Sequence, residues 1–173
     1  MQTHLVLTVI GPDRPGLVSL LSDTVAAGGG NWLDARMASL AGKFAGILLV
    51  AVASEKADAL VTALNKLEAK GLRLLIEKST GESAPRVGRS LKLELLGQDR
   101  PGIVRDISRV LAAQQVSIAD FETERASGSF SGEGMFKATA VLQLPERLEP
   151  EQVRKALEGL ANELMVDLSL QDG

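Results

Sequence analysis

Leu5, Leu7 and Val9 alternate with His4, Val6 and Thr8, and the alternation stops at Gly11. A period of two is that of a half-buried strand. From Pro15 onward the period changes, with Leu17, Leu20, Leu21 and Val25 at helical spacing until Gly28-Gly29-Gly30. This predicts a helix with proline at its first position, where a missing N–H costs nothing. A strand over 31–40, a turn at Ala41-Gly42-Lys43 and a strand over 44–53 then form a hairpin. Ala57, Leu60, Val61, Leu64 and Leu67 mark a second helix ended by Gly71, and Leu72 to Ile76 is a fourth strand. The order is β-α-β-β-α-β.

The same unit occurs twice. Gly11-Pro12-Asp13-Arg14-Pro15-Gly16-Leu17-Val18 returns as Gly97-Gln98-Asp99-Arg100-Pro101-Gly102-Ile103-Val104, an offset of 86 that also pairs Asp34 with Asp120. The second copy places strands near 91–97, 116–125, 134–144 and 164–170, and helices near 101–114 and 150–162. We therefore expect an α+β chain with one domain over 1–80, a Ser/Gly/charge-rich linker over 81–89 and a second domain over 90–173. The split βαβ order predicts, in each domain, a four-stranded antiparallel sheet with two helices on one face. A single fused eight-stranded sheet and an exchange of elements between copies remain open. Each sheet keeps a helix-free, half-apolar face and open edges, so packing between units and a homodimer are expected.

Composition narrows the function. The chain has 173 residues, 45% of them apolar, and a mean hydropathy of +0.12. No segment approaches the ~20 apolar residues of a membrane span, and Met1-Gln2-Thr3-His4 is not a basic signal head. A cytoplasmic protein without a membrane partner is expected. The absence of cysteine excludes disulfides, thiol catalysis and Cys-based metal centres. One histidine and no tyrosine leave little for acid–base catalysis, so no enzyme, cofactor or metal is expected. The net charge is −3; residues 1–80 hold 8 basic and 7 acidic side chains, residues 90–173 hold 9 and 14. Direct nucleic-acid binding is therefore disfavoured, as is an RNA-binding protein of similar topology, which would also need stacking aromatics.

The chemistry-bearing signal is Asp-Arg-Pro-Gly at the strand-to-helix turn of both copies. Structurally, Asp13 and Asp99 can cap helix amides while Pro15 and Pro101 set φ and Gly16 and Gly102 permit close packing. Functionally, a helix N-terminus offers N–H groups to a carboxylate and the aspartate can accept an ammonium. Arg14 and Arg100 are not needed for a cap and could pair with a carboxylate. Asn31 and Ser117 open the second strand of each copy, as backbone partners or ligand contacts. Asp34 and Asp120 are expected on the face of Trp32 and Ile118, where a charge needs a partner such as Arg36. Phe130, in a Ser/Gly loop at 127–134, is a candidate contact point.

Gly-x-Asp-Arg-Pro-Gly-(Leu/Ile)-Val after a strand, within a βαββαβ order, resembles the ACT domain, a regulatory amino-acid-binding module of ferredoxin-like fold. Two such units over about 3–170 look like the glycine cleavage system transcriptional repressor family. The motif also begins the ACT portions of formyltetrahydrofolate deformylases and of nitrogen-sensing uridylyltransferases, whose large catalytic regions have no counterpart in this sequence. The resemblance implies ligand-binding regions at Asp13, Arg14, Pro15, Gly16 and Asn31, and at Asp99, Arg100, Pro101, Gly102 and Ser117. Serine in place of asparagine at 117 distinguishes the second. It implies a non-enzymatic sensor of a small amino acid, glycine first among them, acting through protein–protein contact with a transcription factor. The alternative is an accessory subunit that gives amino-acid feedback to a separate metabolic enzyme.

Overall fold

The computed structural model describes residues 1–79, 88–127 and 134–172. The chain divides into two compact units, 1–84 and 85–173. The expected linker at 81–89 and the loop carrying Phe130 lie largely outside the described residues. The first unit runs β1 (Gln2–Pro12), α1 (Leu17–Ala27), β2 (Asn31–Leu40), β3 (Lys43–Ala53), α2 (Ala57–Asn65) and β4 (Arg73–Ser79). The second runs β5 (Ser90–Gln98), α3 (Ile103–Ala113), β6 (Ser117–Ser127), β7 (Gly134–Gln143), α4 (Pro150–Leu164) and β8 (Val166–Asp172).

Each unit forms its own antiparallel sheet, ordered β2-β3-β1-β4 and β6-β7-β5-β8. The strands of each sheet all come from one half of the chain, so there is neither a fused sheet nor an exchange of elements. The period-two residues Leu5, Leu7 and Val9 are fully buried with Leu17, Leu21 and Val25 of α1 and Leu60 and Leu64 of α2. Leu91, Leu93 and Leu95 are buried with Ile103, Ile107 and Leu111 of α3 and Val153 and Leu157 of α4. This is the ferredoxin-like arrangement, with helices on one face and the other face open.

Three details differ from the sequence expectation. First, α1 and α3 begin at Leu17 and Ile103, after glycine, rather than at Pro15 and Pro101. Gly16 and Gly102 have φ of 88° and 92°, a left-handed conformation that breaks helical continuity and that glycine adopts without penalty. Second, α2 is extended by 3-10 turns at Ser54–Lys56 and Lys66–Lys70, so its apolar spacing outlasts the α-helix. Third, the ladders shift register between Trp32 and Asp34, and between Ile118 and Asp120. A bulge inserts one residue and reverses the facing of those that follow. Trp32, Ala35 and Met37 pack on the core, which turns Asp34 and Arg36 to the open face. Asp120 likewise pairs with Val141 on the open side, whereas Ile118 pairs with buried Leu142. The carboxylates do not share a face with Trp32 and Ile118, and Asp34 is solvated without an ion pair to Arg36.

Candidate functional site

The two Asp-Arg-Pro-Gly turns are built alike. The motif's first glycine lets neighbouring chain pass: a Cβ on Gly11 would lie 2.8 Å from the Gly71 carbonyl oxygen, and one on Gly97 2.3 Å from Val166. The aspartate backbone then ties the turn to the following hairpin. Asp13 N–H donates to Gly42 O at 3.0 Å, and Asp99 N–H to Gly134 O at 2.9 Å. Helix bonding starts at the left-handed glycine, whose carbonyl accepts from Leu20 N–H in α1 and from Asp106 N–H in α3.

Neither aspartate is a helix cap. Gly16 and Gly102 are the N-cap residues, and no side chain bonds the first-turn amides of α1 or α3. This corrects the capping role expected for Asp13 and Asp99. The reason is geometric, since the helix starts four residues after the aspartate and the left-handed glycine intervenes. The first-turn amides of α1 are thus open at a positive helix end. Asp13, Arg14, Pro15 and Gly16 are all exposed.

The side chains separate the two turns. Asp13 makes no ion pair among the described residues. Arg14 donates to the Lys70 carbonyl oxygen, closing the turn onto the segment before β4. In the second unit, Asp99 Oδ2 lies 2.7 Å from Arg125 Nε, so its carboxylate is already matched. Arg100 Nη2 lies 3.8 Å from Asp106 Oδ2, while Asp106 Oδ1 accepts from Arg105 Nε at 2.9 Å. The Arg105 hydrogen bond, opposed by desolvation and aided by the charges of Arg105, Arg100 and Arg109, holds the Asp106 carboxyl below its ordinary value. Sequence reasoning missed Arg125 and Asp106. The signal for Arg125 was present, because the offset of 86 places it on Ser39.

Asn31 and Ser117 are not beside these turns. Asn31 pairs with Ala51, whereas Pro12 pairs with Lys43 at the other end of β3. The separation is roughly eight residues of strand, about 27 Å at the usual rise. Ser117 pairs with Gln143 while Gln98 pairs with Met135, so the second unit shows the same division. Within the first unit Asn31 is therefore remote from the Asp-Arg-Pro-Gly turn. Among the described residues no group of His, Asp or Glu could hold a metal ion, and no helix is long and apolar enough to cross a membrane. A depression of about 280 Å³ lined by Glu94, Leu96, Lys137, Asp167 and Ser169 lies on the open face of the second sheet, not at either turn.

Comparison with known proteins agrees with this architecture. The ACT domain family model matches residues 3–77 and again 90–171. Glycine cleavage system transcriptional repressors of Escherichia coli K12 and Shigella flexneri are each 27% identical over 167 residues, covering 94% of this chain and 86% of theirs. The crystal structure of an unknown protein from Galdieria sulphuraria is 29% identical, with a TM-score of 0.88 over 100% of this chain and 99% of that one. A candidate glycine cleavage system transcriptional repressor of known structure, 20% identical, has a TM-score of 0.72 over 99% of this chain and 97% of its own, a likeness of fold. With both βαββαβ units matched and Asp-Arg-Pro-Gly at the same turn in each, the chain belongs to the ACT domain family, as a tandem pair.

Proposed function

We propose that this chain is a non-enzymatic, cytoplasmic regulator that senses a small amino acid, glycine first among them, and works as a homodimer through contact with a transcription factor. The observation that carries the reading is the near-complete, colinear match of a tandem ACT chain to glycine cleavage system transcriptional repressors, 94% of this chain on 86% of theirs. The turn of the first unit supports it chemically. The first-turn amides of α1 suit an amino-acid carboxylate, the unpaired Asp13 suits the ammonium, and Arg14, Pro15 and Gly16 shape the turn. The second turn, from Asp99 to Gly102, is the weaker site because Arg125 already neutralises Asp99. Asn31 and Ser117 are not part of this single-unit site. Regulation through a protein partner fits the net charge of −3, since an acidic chain gains no counterion release on DNA.

Calorimetry of the purified chain against the twenty amino acids tests the sensing. Saturable binding of glycine or another small amino acid is expected, and heat from none of the twenty removes the sensor reading. A gel shift at physiological salt tests the route. The chain alone should leave operator DNA unshifted, and a specific shift without a partner would show that it reads DNA directly.

A further inference from the structure

The open sheet faces of the two units differ in chemistry although the folds match. In the first unit the face centres on Val6, Ile10, Ile47, Leu49 and Leu75, with Ile10, Ile47 and Leu75 exposed by 39%, 53% and 63%. In the second, the corresponding face carries Lys92, Glu94, Glu122, Lys137 and Asp167 around Leu96, its one large exposed apolar side chain among the described residues. Ion pairs such as Lys92–Glu94 at 2.7 Å and Lys137–Glu124 at 3.3 Å keep that face wetted. The apolar face is therefore particular to the first unit, and exposed apolar patches of this kind mark contact surfaces.

The edges of the apolar face indicate what covers it. Its β2 edge carries Asp34 and Arg36, and its β4 edge carries Glu77 and Arg73. None of the four is in an ion pair among the described residues. A partner of one charge sign would be attracted by half of each edge and repelled by the other half. A surface with the same charges in reversed order matches both edges, and a second copy turned about a two-fold axis across the strands presents that order. Asp34 then faces the partner copy's Arg36, and Glu77 its Arg73.

The register makes this quantitative. The axis must pass midway between Asp34 and Arg36 on β2 and at Leu75 on β4, and Leu75 lies on the Arg36 rung. The two points differ by half of a two-residue step, about 3.4 Å, across three strand spacings, about 14 Å. An axis so inclined crosses the strands of the two copies at about 27°, the magnitude of aligned sheet packing, about 30°. The geometry points to a homodimer in which the first units pack open face to open face, with Ile47 and Leu75 buried and Asp34–Arg36 and Glu77–Arg73 paired between copies. This inference rests on the homodimer part of the functional reading and is independent of its amino-acid part.

Sedimentation equilibrium of the full chain at micromolar concentrations tests it. The wild type is expected at twice 18.3 kDa. Ile47→Glu combined with Leu75→Glu should raise the dimer Kd at least about 100-fold, with each unit still folded because both side chains already face solvent within it. Asp34→Arg and Arg36→Asp should each raise Kd about 10-fold, and the two together should return to near the wild-type value. This charge exchange tests the same surface should the apolar variant misfold. A monomeric wild type overturns the dimer and its surface together. A dimer that survives the glutamates uses another surface, such as the β2 edge, and overturns the interface while leaving the homodimer standing. A double exchange no better than the single changes overturns the two-fold arrangement.

Discussion

At the scale of single residues, Asp13 lies four residues before α1 and makes no ion pair among the described residues, whereas Asp99 is held 2.7 Å from Arg125. Asp13→Ala should weaken amino-acid binding by roughly 10- to 100-fold, the worth of a charge-assisted hydrogen bond to an ammonium, about 1.5–3 kcal/mol. Because Asp13 caps no helix, its melting temperature should stay at the wild-type value. Asp99→Ala should leave affinity nearly unchanged, and Arg125→Ala, by freeing Asp99, should strengthen binding at the second turn. Calorimetry beside thermal melting reads all three, and an Asp13→Ala protein that binds as wild type removes this aspartate from the site. The motif itself was legible, because Gly-x-Asp-Arg-Pro-Gly recurs with its spacing intact. The sequence set the second region apart through Ser117 in place of Asn31 and through Arg125 on Ser39, but the partner of Asp99 lies 26 residues away and depends on the hairpin register.

The helices begin in two different ways, and this sets what each can lose. Pro150 opens α4 behind a capping box in which Glu149 N–H donates to Gln152 Oε1 at 3.2 Å. α1 and α3 begin on left-handed glycines with no side-chain cap. Gln152→Ala should therefore cost about 1 kcal/mol, seen as a lower denaturation midpoint with an unchanged m-value. Gly16→Ala should cost about 1–2 kcal/mol for a different reason, since alanine is strained at a φ of 88°. If Gln152→Ala melts as wild type, the box contributes nothing. The Arg89–Glu149 pair, both side chains 64% exposed, adds little. Periodicity located every one of these elements, because Leu5-Leu7-Val9 and Leu17-Leu20-Leu21-Val25 differ plainly in spacing. It set the starts of α1 and α3 two residues early because proline suits a first helical turn as well as the residue before a left-handed glycine. It also missed the bulges, because Leu33 and Ala119 are apolar residues in strands where either facing is plausible.

Across the whole molecule, the two cores share no residue: one is drawn from Leu5 to Leu72, the other from Leu91 to Leu170. The repeat offset of 86 made this division legible. The difference between the open faces was visible too, in Val6-x-Thr8-x-Ile10 against Lys92-x-Glu94-x-Leu96. What the alternation could not supply was the facing of Asp34 and Arg36, which the bulge decides and on which the charge pattern of the apolar face depends. Self-contained cores predict that fragments 1–84 and 85–173 each unfold cooperatively, with stabilities of about 4–13 kcal/mol for domains of this length. Their association should differ. The first fragment keeps the uncovered face of Ile47 and Leu75 and should dimerise, whereas the second presents Lys92, Glu94 and Lys137 and should sediment as a monomer. Far-UV melting and sedimentation of the two fragments check both points. If 1–84 is monomeric while 85–173 dimerises, the apolar sheet face is not what joins the copies.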